Sequence, residues 1–165
     1  MDQPHKVYIS LGSNKGDRLK HLQDAVDLIF ARIGKVNIIS KVYNTPALGF
    51  EGDDFLNTCI FIETNFSSEQ LIDELLTIET ILGRTRENTK GYQSRIIDLD
   101  IVDYKNQIIS LKERLYTPHP RMHKRAFVLL PLQEINPLWV HPVNNIIISS
   151  LIKKLDKKQK IKKII

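Results

Sequence analysis

The chain has 165 residues, 42% apolar and 26% charged, a balance that fits one globular domain and excludes a disordered, collagen-like or disulfide-framework protein. Its single cysteine, Cys59, forbids an internal disulfide and suits a reducing, cytoplasmic setting, and no apolar run approaches the ~18 residues of a membrane span. The net charge of +5 is not a nucleic-acid signature: residues 153–165 hold seven lysines against Asp156, while the remainder carries 17 basic and 18 acidic side chains.

Residues 6–11 (Lys-Val-Tyr-Ile-Ser-Leu) alternate like a strand and stop at Gly12-Ser13-Asn14. Leu19, Leu22, Val26, Ile29, Phe30 and Ile33 recur at helical spacing, with Asp17 as N-cap and Gly34 as stop. Residues 36–43 read as a strand, followed by a loop over 45–54 and a long strand over 55–64. Ser67-Ser68-Glu69-Gln70 is a capping box opening a second helix with the stripe Leu71, Leu75, Ile78 and Leu82, closed by Gly83. A polar loop over 84–95 leads to a fourth strand at 96–104. The order βαββαβ predicts an α+β, ferredoxin-like antiparallel sheet with helices packed on it. A C-terminal elaboration holds a short Gln107–Ser110 strand and apolar segments at Phe127–Ile135 and Ile146–Leu155. Residues 1–152 form the domain in this reading; 153–165 form a lysine-rich tail, a solvated or frayed helix end.

Within the fourth strand, Asp98 and Asp100 are two apart and share a face with Ile96 and Val102, their backbones roughly 7 Å apart. Carboxylates so placed repel and call for cations. The loop before them carries Arg84, Arg86, Lys90 and Arg95, with Gly91 able to let it close over a ligand. Guanidinium groups bind phosphate in bidentate fashion, and two carboxylates suit Mg²⁺, so the pair points to phosphoryl chemistry. Glu79 lies on the buried helix stripe, where a carboxylate must hold an arginine or receive a nucleotide group. His119 and His123 are four apart, but Pro120 stands where a zinc protease has Glu, so with Arg121, Lys124 and Arg125 they read as a second phosphate-facing cluster. No P-loop and no GxGxxG occurs. An RNA-recognition module of the same strand order is disfavoured, because its sheet face would be basic and aromatic rather than carry two aspartates.

Together, Leu11-Gly12-Ser13-Asn14, Thr45-Pro46-Ala47-Leu48-Gly49, Phe55-Leu56-Asn57, Gly83-Arg84-Thr85-Arg86, Arg95-Ile96-Ile97-Asp98-Leu99-Asp100-Ile101 and Pro118-His119-Pro120-Arg121-Met122 resemble the 6-hydroxymethyl-7,8-dihydropterin pyrophosphokinases of folate biosynthesis. The resemblance runs from about residue 7 to 142 and leaves out the lysine tail. It implies transfer of diphosphate from ATP to the pterin hydroxymethyl group with release of AMP. Asp98 and Asp100 match the family's magnesium ligands, with two ions per ATP, and Arg84 and Arg95 its catalytic polyphosphate arginines. Arg86, Ile101, Arg114, His119 and Arg125 match the ATP side, and Thr45, Pro46, Leu48, Phe55, Asn57 and Phe127 the pterin pocket. Tyr92 stands where relatives carry a Trp that covers the closed site. The resemblance implies ATP and 6-hydroxymethyl-7,8-dihydropterin as partners of a cytoplasmic monomer, with neither nucleic acid nor membrane. The other reading the residues support is a different magnesium-dependent nucleotidyl or phosphoryl transferase using the same aspartates. Residues 84–95 are expected to form a lid whose arginines lack partners until polyphosphate arrives.

Overall fold

Alternating apolar residues make β1 (His5–Ser13) the middle of a sheet: Val7, Ile9 and Leu11 point to one side and Tyr8, Ser10 and Gly12 to the other. The computed structural model describes residues 3–47, 51–85 and 94–164. β1 pairs antiparallel with β4 (Phe55–Thr64) and, on its other edge, with β5 (Asp98–Tyr104). Beyond β4 lie β2 (Gly34–Ile39) and, further along the same edge, β3 (Tyr43–Thr45). The two helices between these strands are α1 (Arg18–Arg32) and α2 (Ser68–Ile81). The sheet order β5-β1-β4 with β2 and β3 outside is that of the predicted ferredoxin-like α+β sandwich.

α1 and α2 cover one face. Leu22, Ala25, Val26 and Ile29 of α1 and Leu71, Leu75 and Ile78 of α2 pack on Ile9, Leu11, Ile60, Ile62, Leu99 and Ile101. Both helix starts are as the sequence predicts: Asp17 accepts from the Lys20 amide, and Ser67 and Gln70 close a full capping box. Gly83, at φ +99°, takes the left-handed turn that ends α2. A smaller core backs part of the opposite face. There a 3₁₀ turn (Met122–Lys124), α3 (Ala126–Ile135) and α4 (Ile148–Lys153) bring Met122, Leu129, Leu132, Trp139 and Ile148 against Cys59 and Val102. The hairpin of β6 (Ile109–Leu111) and β7 (Leu115–Thr117) stands apart from the main sheet. Among the described residues no helix is long and apolar enough to cross a membrane.

α1 ends at Arg32, just before Gly34 as expected, and Gly34 opens β2, where the Glu63 carbonyl lies so close that no Cβ would fit. Three sequence expectations are corrected. The predicted 36–43 strand is broken at Ser40, whose hydroxyl bonds to the Thr58 hydroxyl at 2.9 Å and accepts from the Cys59 amide at 2.9 Å. Ile96 does not share the face of the aspartates; it precedes β5 and packs with the helix-side core. Finally, the lysine-rich stretch is no frayed helix end, because it returns to the sheet as β8 (Lys162–Lys163), antiparallel to β3.

Candidate active site

The face of the sheet away from α1 and α2 carries the polar residues. Register aligns Asp98 with Gly12, Gly12 with Asn57, and Asn57 with Tyr43, so these four form one row across β5, β1, β4 and β3. The next row places Asp100 beside Ser10 and Ser10 beside Cys59. Gly12 therefore separates a carboxylate from an amide by two strand spacings, roughly 10 Å. A Cβ at Gly12 would lie 3.0 Å from Asn57 Oδ1 and 3.7 Å from the Phe55 ring. Its missing side chain keeps the floor open.

On the β5 side, Asp98 is the hub of an ion-pair network. Arg84 Nη1 donates to Asp98 Oδ1 at 2.9 Å and to Glu79 Oε2 at 2.7 Å, and Arg95 Nη1 donates to Asp98 Oδ2 at 3.0 Å. Glu79, buried on α2, also accepts from the Leu99 amide at 2.8 Å. One carboxylate thus ties the edge strand β5 to α2 and holds Arg84. The arginines at the ends of the 84–95 loop are consequently paired before any ligand arrives, which corrects the expectation that they wait for polyphosphate. Arg86 and Tyr92, with most of the expected lid, lie outside the described residues, as does Leu48.

Asp100 sits at the foot of this cluster. Burial, then the Asp98 and Glu79 carboxylates, push its carboxyl up to about 7, while Arg125 and Arg95 pull the other way. Asp100 is therefore a carboxylate short of cationic compensation. Among the described residues no three His, Cys, Asp or Glu side chains gather to hold a metal. Two carboxylates on one face suit Mg²⁺, which takes one or two and completes its shell with water and phosphate oxygens.

At the other end of the row, Asn57 Nδ2 donates to Thr45 Oγ1 at 2.9 Å, leaving the rest of the buried amide at the floor beside Phe55. Pro46 follows directly in the chain. At the start of α3, the Arg125 guanidinium carbon lies 5.4 Å over the centre of the Phe127 ring. His119 is fixed by its amide, which donates to the Val102 carbonyl at 2.9 Å, and its Nδ1 accepts from the Arg121 amide at 3.2 Å. Burial, together with Arg125 and Arg121, lowers its pKa to about 4. At neutral pH the ring is therefore uncharged, and with Nδ1 accepting, Nε2 carries the proton.

Two residues matched to the ATP side stand elsewhere. Ile101 points its side chain into the helix-side core, 2% exposed, so it faces a ligand only with its backbone. Arg114, exposed between β6 and β7, is paired with Asp73 of α2. Conversely, the residue pattern undervalued Asn14. Its amide nitrogen and side chain bracket Arg95: N donates to the Arg95 carbonyl at 3.0 Å, and Oδ1 accepts from the Arg95 amide at 2.6 Å. Its Nδ2 reaches the Asp53 carbonyl at 3.2 Å. Asn14 joins the end of β1 to the segments entering both halves of the site. A buried Asn just after a strand, in Leu-Gly-Ser-Asn, was the available signal.

Residues 8–137 match the family described as 7,8-dihydro-6-hydroxymethylpterin-pyrophosphokinase (HPPK). The chain is 42% identical over 150 residues to the folic acid synthesis protein fol1 of Pneumocystis carinii, covering 90% of this chain and 20% of that protein. It is 36% identical over 138 residues to the 2-amino-4-hydroxy-6-hydroxymethyldihydropteridine pyrophosphokinase of Porphyromonas gingivalis, covering 82% of this chain and 93% of that one. The enzyme of the same name from Bacillus subtilis is 42% identical over 131 residues, 78% and 77% of the two chains. In structure, the HPPK-DHPS of Plasmodium falciparum with pteroate superposes with a TM-score of 0.75 at 15% identity, over 93% of this chain and 43% of that one. The chain thus spans about a fifth of fol1 and less than half of the HPPK-DHPS chain. With more than three quarters of its length inside the matched region, the chain belongs to the 7,8-dihydro-6-hydroxymethylpterin-pyrophosphokinase family.

Proposed function

We propose that the chain transfers diphosphate from ATP to the hydroxymethyl group of 6-hydroxymethyl-7,8-dihydropterin and releases AMP. The observation that carries this reading is the row across the sheet. A neutral hydrogen-bonded pair, Asn57 and Thr45, lies on the same face as Asp98, the hub of the Arg84–Arg95 cluster, with a glycine between them. An acceptor held by its pterin ring at one end can reach the β-phosphorus of ATP held at the other. The pterin hydroxyl oxygen attacks that phosphorus in line, the bond to the α-phosphate oxygen breaks, and AMP departs.

Each side chain has a role in this scheme. The Asn57 amide pairs with the donor–acceptor edge of the pterin, while Phe55 and Phe127 pack on the ring. Arg84 and Arg95 meet charge developing on the transferred group, and Arg84 is kept in place by Glu79 whichever way Asp98 turns. His119 offers its Nε2 proton to an acceptor on the nucleotide side, joined there by Arg125. Asp98 and Asp100 would hold Mg²⁺, two ions per ATP, which when bound neutralises phosphate oxygens and aligns them. The buried, unpaired Cys59 is consistent with a cytoplasmic setting.

The test is to incubate the chain with ATP, Mg²⁺ and 6-hydroxymethyl-7,8-dihydropterin and separate the nucleotides. AMP should form in step with pterin consumed. ADP or free pyrophosphate as the stoichiometric product would reject the reading in favour of another phosphoryl or nucleotidyl transferase.

A further inference from the structure

We propose that the C-terminal segment 156–164 is a strap that sets both walls of the substrate pocket, with Gln159 as its principal positioning residue; the inference rests on the reaction proposed above. The segment lies beyond residues 8–137 of the family match. It leaves α4 through a turn in which the Lys158 amide donates to Asp156 Oδ1 at 2.9 Å and the Gln159 amide to the Asp156 carbonyl at 3.2 Å.

Gln159 then grips the start of α3. Its Oε1 accepts from the Ala126 amide at 2.9 Å, and its Nε2 donates to the Lys124 carbonyl at 2.9 Å. The first amides of a helix have no partner within it, and Arg125, at the N-cap position of α3, makes no side-chain capping bond to them. Gln159 fills that gap. Its two bonds also hold the peptide groups on either side of Arg125, immediately before Phe127. The backbone that aims both site residues is thereby fixed from outside.

Three residues later the strap reaches the opposite wall. Lys162 and Lys163 pair with Asn44 and Tyr43, and the Ile164 amide donates to the Val42 carbonyl at 2.9 Å. β3 would otherwise be a three-residue edge strand, yet it carries Thr45, the partner of Asn57, into Pro46. Ordering both walls in advance removes part of the entropy cost of binding, so the contribution should be read in substrate affinity.

The two contacts predict different kinetic signatures. Gln159→Leu keeps the bulk and loses both bonds; it should lower kcat/KM about tenfold for the pterin and raise KM for ATP as well, because Arg125 and Phe127 both lose their support. Ile164→Pro deletes one amide on the β3 side and should raise the pterin KM several-fold with the ATP KM unchanged. Lys160→Gln, an exposed position in the same segment, should match the parent. Should Gln159→Leu fail to fold, Gln159→Asn, too short to span both partners, decides the same question. Folded variants that melt lower but keep both parental KM values would overturn the strap and leave a merely structural tail. A parent chain that forms no AMP would reject the reaction instead. The strap would then be judged by amide hydrogen exchange, which should quicken at Ala126 in Gln159→Leu and at Asn44 in Ile164→Pro; unchanged exchange would overturn it.

Discussion

The two faces of the central sheet are built from the same strands and do opposite work. Toward α1 and α2, β1, β4 and β5 present mostly Val, Ile and Leu (Val7, Ile9, Leu11, Ile60, Ile62, Leu99 and Ile101), and these side chains are buried. Toward α3, the alternate residues include Ser10, Gly12, Asn57, Asp98 and Asp100, and the helices back only part of it. One face buries apolar area and supplies stability. The other holds like charges close together, leaves a glycine floor, and would be a poor core. A mutation should therefore damage either stability or turnover according to the parity of its position.

Replacing Asp98 by Ala should give the largest effect. It removes an expected metal ligand and the shared partner of Arg84 and Arg95, and turnover should fall about a thousandfold or more. Thermal melting should stay cooperative, since Glu79 still holds Arg84. Near-parental turnover at saturating Mg²⁺ would break the comparison. On the opposite face, Ile60→Ala opens a cavity at a fully buried position and should cost about 2–5 kcal/mol by denaturant titration. Turnover per folded molecule should change little.

Gly12→Ala sharpens the contrast because it adds one methyl to the floor. The Asn57 amide must shift, and the pterin KM should rise about tenfold with the ATP KM nearly unaffected. The smallest effect is in pH dependence. Asp100 is raised in the folded state from 3.8 to about 7, so the metal-free native protein binds more protons than the unfolded chain across that interval. Its stability from this group is present at low pH and is lost as pH rises through about 7. Asp100→Asn should therefore melt at the parental temperature near pH 4 and above it at pH 8. A gain at pH 4 that vanishes at pH 8 would contradict the sign.

What the sequence made legible follows the range of the interactions involved. β1, β4 and the capping box at Ser67 rest on local periodicity and contacts three residues apart, and they stand as predicted. The break at Ser40 depends on Thr58 and Cys59, eighteen and nineteen residues away, and left no local mark. In β5, period two correctly put Asp98 and Asp100 on one face. It holds through Val102, which packs in the α3-side core, and fails at Asp103, where the pairing with β1 has slipped by one residue and puts this carboxylate beside Trp139. The same alternation turned Ile101 away from the site. The expectation that buried Glu79 holds an arginine or receives a nucleotide group is met by Arg84, whose second partner, Asp98, comes from a different element. The lysine run read as solvated, and its side chains are exposed; its backbone pairing with β3, some 120 residues away, is invisible to composition.

Calorimetry of ligand binding tests the central claim most directly: one sheet row holds the acceptor at Asn57 and the phosphates at Asp98. With a non-hydrolysable ATP analogue and Mg²⁺ present, Asn57→Ala should weaken pterin binding at least tenfold while the analogue binds as in the parent. Asp98→Ala should weaken the analogue and leave pterin contacts intact. If both substitutions weakened the same ligand alone, or Asn57→Ala bound pterin normally, the division of the row would be contradicted.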